Sequence, residues 1–346
     1  MLFHYQMKKD VQRPVLGIAM GDPAGVGPEI IAKLIANGFF KEFCIPVFIG
    51  GRKILERAFD VIGSPSVSVT SVRDASAVDF ESDAVQVVEI DGADSPLCEF
   101  GKVSLAGGKI CLAELTAAVQ LCKTHMIEGF CFAPLNKAGM KAAGMHFESE
   151  HYYLADVFHV TNPFGEINVV GSVWTTRTTS HIPIKEVSQN LSIEKILRAV
   201  SLCASTLKSS GVTSPRIAVA ALNPHCGENG LCGREEIDII EPAVRKAVDD
   251  GIAASGPYSS DILFIKAFQG KFDGVVTMYH DQGQIALKLK GFDEGITIAG
   301  GQPYPIVTCG HGTAYDIAGK NIVKTSSFEN AVKMAARMAN HIAGRN

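Results

Sequence analysis

The sequence predicts an α/β protein built on a largely parallel sheet, and three observations predict it. Short apolar runs stop abruptly at glycine or polar residues. Amphipathic helical stretches lie between several of them. The first run passes through a Gly/Pro turn straight into a helix, as a βα unit does. That run is PVLGIAM, Pro14 to Met20, followed by GDPAGVGPEI and the helical EIIAKLIANGFF. The next strands are CIPVFIG, Cys44 to Gly50, and VQVVEI, Val85 to Ile90. A long helix follows from about Ala106 to Met126, and GFCFAPLNK gives a strand ending in a polar turn. The second half repeats the pattern, with the runs INVVGSVWTT, RIAVAALNP, FDGVVTMYHD and GITIAGG. Helices are expected at SIEKILRAVSLCASTLKSS and GREEIDIIEPAVRKAVDDG, and a last one at FENAVKMAARMANHIAG. Polar clusters sit just after the strands, where parallel α/β sheets bind ligands.

The 346 residues suit two domains or one large α/β unit. A net charge of −4, with no basic block, gives no footprint for nucleic acid or an anionic membrane. One Trp and seven Tyr argue against a stacking platform for single strands. No apolar run approaches the roughly 20 residues of a membrane span. The opening MLFHYQMKKDVQRP has no apolar stretch followed by a cleavage site, so no signal peptide is expected. The nine cysteines form no CxxC pair and read as buried thiols in a reducing compartment, which places the protein in the cytoplasm.

Three histidines stand at strand ends: His181 in TTSHIPIKEV, His225 in LNPHCGENG and His280 in MYHDQG. Three neutral imidazoles with an open fourth position make a catalytic divalent-metal site. Asp281, next to His280, can orient a ligand or bind substrate. Any one of these histidines alone reads more simply as a satisfied loop residue; three at matching positions favour the metal. His4, His125, His146, His159 and His341 read as solvent-facing or packing residues.

Two glycine-rich elements remain. GDPAGVGPE is a tight turn, not the GxGxxG dinucleotide fingerprint. GHGTAYDIAGK, Gly310 to Lys320, resembles the adenosine-binding loop of the isocitrate/isopropylmalate dehydrogenases. That resemblance puts His311, Gly312, Thr313 and Ala314 around adenine and ribose. It puts Asp316 where NAD-using members carry an acid. A carboxylate there repels the 2′-phosphate of NADP, since two unit charges about 4 Å apart cost about 4 kcal/mol at an effective dielectric of about 20. A helix cap by Thr or Asp is the plainer alternative.

GDPAGVGPEI, APLNKAGMKAAG, SHIPIKEV, LNPHCGENGLCGREE, GPYSSD, MYHDQGQIALKLKGF and HGTAYDIAGK, in this order, resemble the 4-hydroxythreonine-4-phosphate dehydrogenase family over nearly the whole chain. The resemblance implies an isocitrate/isopropylmalate dehydrogenase-like fold of two α/β domains with a cleft between them. Residues 1–133 plus 291–346 would form the cofactor side. Residues 134–290 would form the metal, substrate and dimerisation side. It implies a homodimer with shared active sites, NAD, and a divalent metal (zinc first, with magnesium, manganese or cobalt as alternatives). The metal histidines fall on His181, His225 and His280, the substrate-contacting acids on Asp261 and Asp281, and the lysine on Lys288. Lys288 and Asp281 are equal candidates for moving the proton, with Asp261 orienting substrate. The implied reaction oxidises, and decarboxylates, a small hydroxy acid.

The substrate side departs from the family pattern. The His-Thr pair of phosphate-handling members becomes Glu150-His151. An asparagine becomes Thr297, and an arginine, the natural partner of a phosphate, becomes Ile306. Lys290, Arg177 and His151 are the cations that could compensate. Two other readings stay open. One is oxidation of an unphosphorylated or cyclic cis-dihydrodiol carboxylate without obligatory decarboxylation. The other is an inert metal-binding homodimer with a sensing or interaction role.

Overall fold

The computed structural model describes residues 13–79, 82, 84–93 and 98–345. The opening segment read for a signal peptide, apart from its last two residues, and His4 lie outside the described residues. One sheet of 12 strands runs through the molecule in the order β3-β4-β2-β1-β5-β12-β11-β6-β7-β10-β8-β9. The first five strands are β1 (Val15–Ala19), β2 (Ile45–Gly50), β3 (Val69–Val72), β4 (Val85–Glu89) and β5 (Phe130–Phe132). Then come β6 (Gly165–Val170), β7 (Val173–Arg177), β8 (Ile217–Ala220) and β9 (Ala254–Tyr258). The last are β10 (Gly274–Thr277), β11 (Ile296–Gly300) and β12 (Ile306–Cys309).

The helices are α1 (Gly27–Ala36), α2 (Phe40–Phe43), α3 (Arg52–Val61), α4 (Leu105–Lys123), α5 (Lys137–Ala142) and α6 (Glu150–Val157). They continue with α7 (Ile193–Ser209), α8 (Glu241–Asp249), α9 (Ser260–Phe268), α10 (His280–Gly291) and α11 (Ser326–Ile342). The α/β class expected from the sequence is the class observed. The strands of β1 and its neighbours carry fully buried residues on both faces (Leu16, Ile18, Ala19, Ile49), which is why they read as continuous apolar runs.

Three details differ from the sequence reading. INVVGSVWTT is a hairpin, not one strand. β6 and β7 pair antiparallel, with Val170 opposite Val173. The two-residue Gly171-Ser172 connection supplies the positive φ such a tight turn requires. β11 also runs antiparallel to both neighbours, so the sheet is mixed. The predicted helix GREEIDIIEPAVRKAVDDG opens with a π-helical turn, Glu236–Ile240, ahead of α8. Pro242 lacks an N–H, and the chain widens just before it.

α4 is long and apolar enough, by length and composition, to cross a membrane, contrary to the expectation from the sequence that no run approaches that length. Here it is a core helix. Its Ile110, Cys111, Leu115, Ala118 and Cys122 are buried, and it carries the fully buried Glu114. All nine cysteines are free, and only Cys232 is fully exposed.

Candidate active site

β7, β10 and β8 lie side by side and run parallel. Their carboxyl ends therefore open on the same edge of the sheet, and His181, His280 and His225 follow those ends. His280 is the first residue of α10, and its ring centroid lies 5.7 Å from that of His181. His225 follows β8, which lies on the other side of β10 from β7. Among the described residues, no three His, Cys, Asp or Glu side chains converge tightly enough to enclose an ion.

Two of the three rings have a carboxylate hydrogen-bonded at Nδ1, and the third has one nearby. His280 Nδ1 is 2.7 Å from Asp281 Oδ1, and His225 Nδ1 is 2.8 Å from Glu228 Oε1. His181 Nδ1 is 3.7 Å from Glu148 Oε1. A carboxylate at Nδ1 selects the tautomer that leaves the Nε2 lone pair free, which is how metal-binding imidazoles are oriented. The donor chemistry therefore fits a divalent cation, although one chain does not gather the three nitrogens. The Glu228 hydrogen bond, and then its charge, raise the His225 pKa above its ordinary value.

The His225 loop has an unusual backbone. His225, Cys226, Glu228 and Asn229 have φ between 46° and 58°, with Gly227 at 76°. Non-glycine residues pay in strain for left-handed geometry, so surrounding contacts must impose it. Glu236, buried in the π turn, accepts from the Leu222 and Asn223 N–H groups at 2.8 and 2.7 Å. A Cβ on Gly227 would come within 2.7 Å of the Glu236 carboxylate, so only glycine fits.

Asp261 lies in the first turn of α9 and influences His225 electrostatically. The Ser259 hydroxyl donates to it at 2.7 Å and holds its pKa below the usual carboxylate value. Asp281 is exposed apart from its contact with His280. Four-residue spacing puts His280, Gln284 and Lys288 on one face of α10. Lys288 borders a surface pocket with Asn168, Gln284 and Phe292.

The substrate-side residues form a polar corner beside His181. Arg177, at the end of β7, donates to Glu166, to Asn168 Oδ1 at 2.9 Å and to Ser180 Oγ at 2.9 Å. Asn168 also accepts from Gln284 at 2.6 Å and donates to the Thr297 hydroxyl at 2.9 Å. His151, only 2% exposed, has its Nε2 3.9 Å from Glu166 Oε1. Glu150 Oε2 is 3.9 Å from Lys137 Nζ. Ile306 does not line this corner. It is fully buried in β12 as a core residue, opposite Phe130.

At the other end, the two glycine-rich elements meet. Thr313 O accepts from Val26 N at 3.1 Å, and a Cβ on Gly25 would lie 2.9 Å from the same oxygen. The Tyr315 hydroxyl donates to Asp22, and Glu114 accepts from Gly21 N at 2.6 Å. His311, Gly312 and Asp316 form the open face of this loop, with Ala314 in the left-handed region at φ 44°. The sequence reading missed Glu148, Glu166, Asn168, Glu228, Asp22 and Glu114. Glu228 could have been found from its position three residues after His225.

The profile of the family described as pyridoxal phosphate biosynthetic protein PdxA matches residues 42–335. The chain belongs to the PdxA family. A 4-hydroxythreonine-4-phosphate dehydrogenase of Desulforapulum autotrophicum is 38% identical over 329 residues, covering 94% of this chain and 96% of the relative. The crystal structure of 4-hydroxythreonine-4-phosphate dehydrogenase from Klebsiella pneumoniae superposes with a TM-score of 0.82 at 31% identity, covering 94% and 99% of the two chains. A terephthalate 1,2-cis-dihydrodiol dehydrogenase from Burkholderia xenovorans LB400 is similar at TM-score 0.64 and 25% identity, covering 94% and 98%. The PdxA fold thus extends over nearly the whole of this chain.

Proposed function

We propose that this PdxA-family chain is a dehydrogenase that uses NAD and a divalent cation to oxidise the hydroxyl of a small hydroxy acid. Where a carboxylate lies β to the new ketone, carbon dioxide leaves. One observation carries the reading: three imidazoles at the ends of adjacent parallel strands, two of them hydrogen-bonded to a carboxylate at Nδ1 and the third with a carboxylate 3.7 Å away. The dehydrogenase names of its relatives support the same class of reaction.

His181, His225 and His280 would hold the cation, zinc before magnesium, manganese or cobalt. Bound there, the cation would supply Lewis acidity toward the substrate hydroxyl, and NAD would supply the hydride acceptor. Asp261 orients the substrate beside His225, and Lys288 or Asp281 takes the proton. The 311–316 loop, backed by Asp22 and Tyr315, would receive the adenosine half of NAD, with Asp316 towards the ribose.

A homodimer completes this proposal. Ile285, Leu289 and Phe292 make an apolar stripe on α10, with Leu289 85% exposed, and Ile262 and Ile265 of α9 are exposed as well. Exposed apolar patches on soluble proteins mark contact surfaces. A second copy seated there would bring donors to a site that one chain leaves open. In the two-domain division, residues 134–290 hold β6 to β10 and residues 1–133 with 291–346 hold the remaining strands. Nine free thiols support a reducing, cytoplasmic setting. The test is NADH formation at 340 nm from metal-loaded protein, NAD and a panel of hydroxy acids. NADH with none of them would refute the proposal.

A further inference from the structure

The polar corner holds an anomaly. His151 is 2% exposed, yet neither ring nitrogen has a hydrogen-bond partner, and the buried Glu150 Oε2 has none either. Buried polar atoms in a folded protein are nearly always paired, so unpaired ones clustered beside a candidate site point to a missing partner. The corner adjoins that site: Glu148 touches His181, and Arg177 bonds Ser180, the residue before His181.

The charges here are already matched. Arg177, 8% exposed, is committed to Glu166, Asn168 and Ser180. Lys137 faces Glu150, and Lys290 lies over the Phe268 ring with its Nζ 5.4 Å from the centroid. A phosphate dianion offers only acceptors and would meet the carboxylates of Glu150 and Glu166. The ring nitrogens of His151 and the carboxylate of Glu150 together present both donor and acceptor sites. Hydroxyl groups, which both donate and accept, complement that set.

Resting on the dehydrogenase reading above, we propose that Glu150 and His151 select a hydroxy acid whose distal end is uncharged and hydroxylated, and reject its phosphorylated counterpart.

The experiment measures binding and turnover separately, with one four-carbon polyhydroxy acid and its 4-phosphate ester as a matched pair. Calorimetry on the full-length, metal-loaded protein should show the unphosphorylated acid binding at least tenfold more tightly. Glu150→Gln should narrow that ratio at least threefold, chiefly by improving the phosphorylated ligand. His151→Asn should weaken the unphosphorylated acid, with an unchanged melting temperature showing that the fold is intact. Tighter binding of the phosphate ester, binding of neither acid, or equal effects of Glu150→Gln on both would overturn the inference. Selective binding without NADH formation would uphold this specificity while refuting the redox reading. NADH formed preferentially from the ester would do the reverse.

Discussion

The Tyr315 hydroxyl donates to Asp22 Oδ2 at 2.5 Å, joining two glycine-rich elements that lie 293 positions apart in the chain. Burial raises the Asp22 pKa, and the Tyr315 bond opposes that rise. Tyr315→Phe removes the clamp without removing the ring. The expected result is a KM for NAD several-fold higher with kcat little changed, measured by steady-state NADH formation.

Beneath the same turn, Glu114 is fully buried, and burial pushes its pKa well above the ordinary value. Its carboxyl accepts from Gly21 N at 2.6 Å. Glu114→Gln keeps the acceptor and the volume, so its stability should fall by no more than about 1 kcal/mol. Glu114→Ala leaves the N–H unpaired and a cavity behind, and should cost about 2–4 kcal/mol. Urea unfolding of the two variants checks the difference.

The partly buried Glu166–Arg177 pair gives the fold an acid-sensitive element. Burial alone would raise the Glu166 pKa, but the charge of Arg177, with His151, Lys137 and the Arg177 hydrogen bond, holds it below its ordinary value. A folded pKa below the unfolded one adds stability at pH above the unfolded value, about 4.3 for Glu, and that stability is lost as pH falls through the folded value. Glu166→Gln should cost about 3–5 kcal/mol at pH 7 by leaving Arg177 uncompensated. It should also flatten the acid limb of the stability profile measured by thermal melts from pH 3 to pH 7.

Thiol reactivity should follow burial. Cys44, Cys122, Cys203 and Cys309 are pushed up to about 12 by burial, whereas Cys232 is exposed. One fast-reacting thiol is expected with a disulfide reagent in native protein, and nine in denaturant. Cys232→Ser should abolish the fast phase.

Glu228 hydrogen-bonds His225 Nδ1, and in the proposed function it would orient that ring without itself binding the cation. Glu228→Gln should weaken metal affinity about 10–100-fold, as losses of outer-shell partners do, and leave the fold intact. A metal titration followed by calorimetry measures it.

Long, strongly patterned elements were legible in the sequence. β1, β2, α4 and α11 fall where their apolar runs or periods put them. The edge strands β3 and β9 were not, because VTSV and ASGPY carry few buried side chains. At an edge even Gly256 and Pro257 are tolerated. β12 was hidden because a four-residue apolar run has no period to read. The strand-end placement of His181, His225 and His280 was visible, since each follows an apolar run. Asp281, the neighbour of His280, was legible as well, and Glu228 lies only three residues after His225, but Glu148 is distant in sequence from His181. Ile306 was placed by alignment, and β12 turns it into the core.

The most direct test of the central claim is NADH formation by wild-type protein and the His280→Ala variant, each metal-loaded and then stripped by chelator. Loaded wild type is expected to turn over at least one hydroxy acid, to lose that turnover on stripping and to recover it on adding a divalent cation, with none in His280→Ala. Undiminished NADH formation by the stripped His280→Ala protein would contradict the claim.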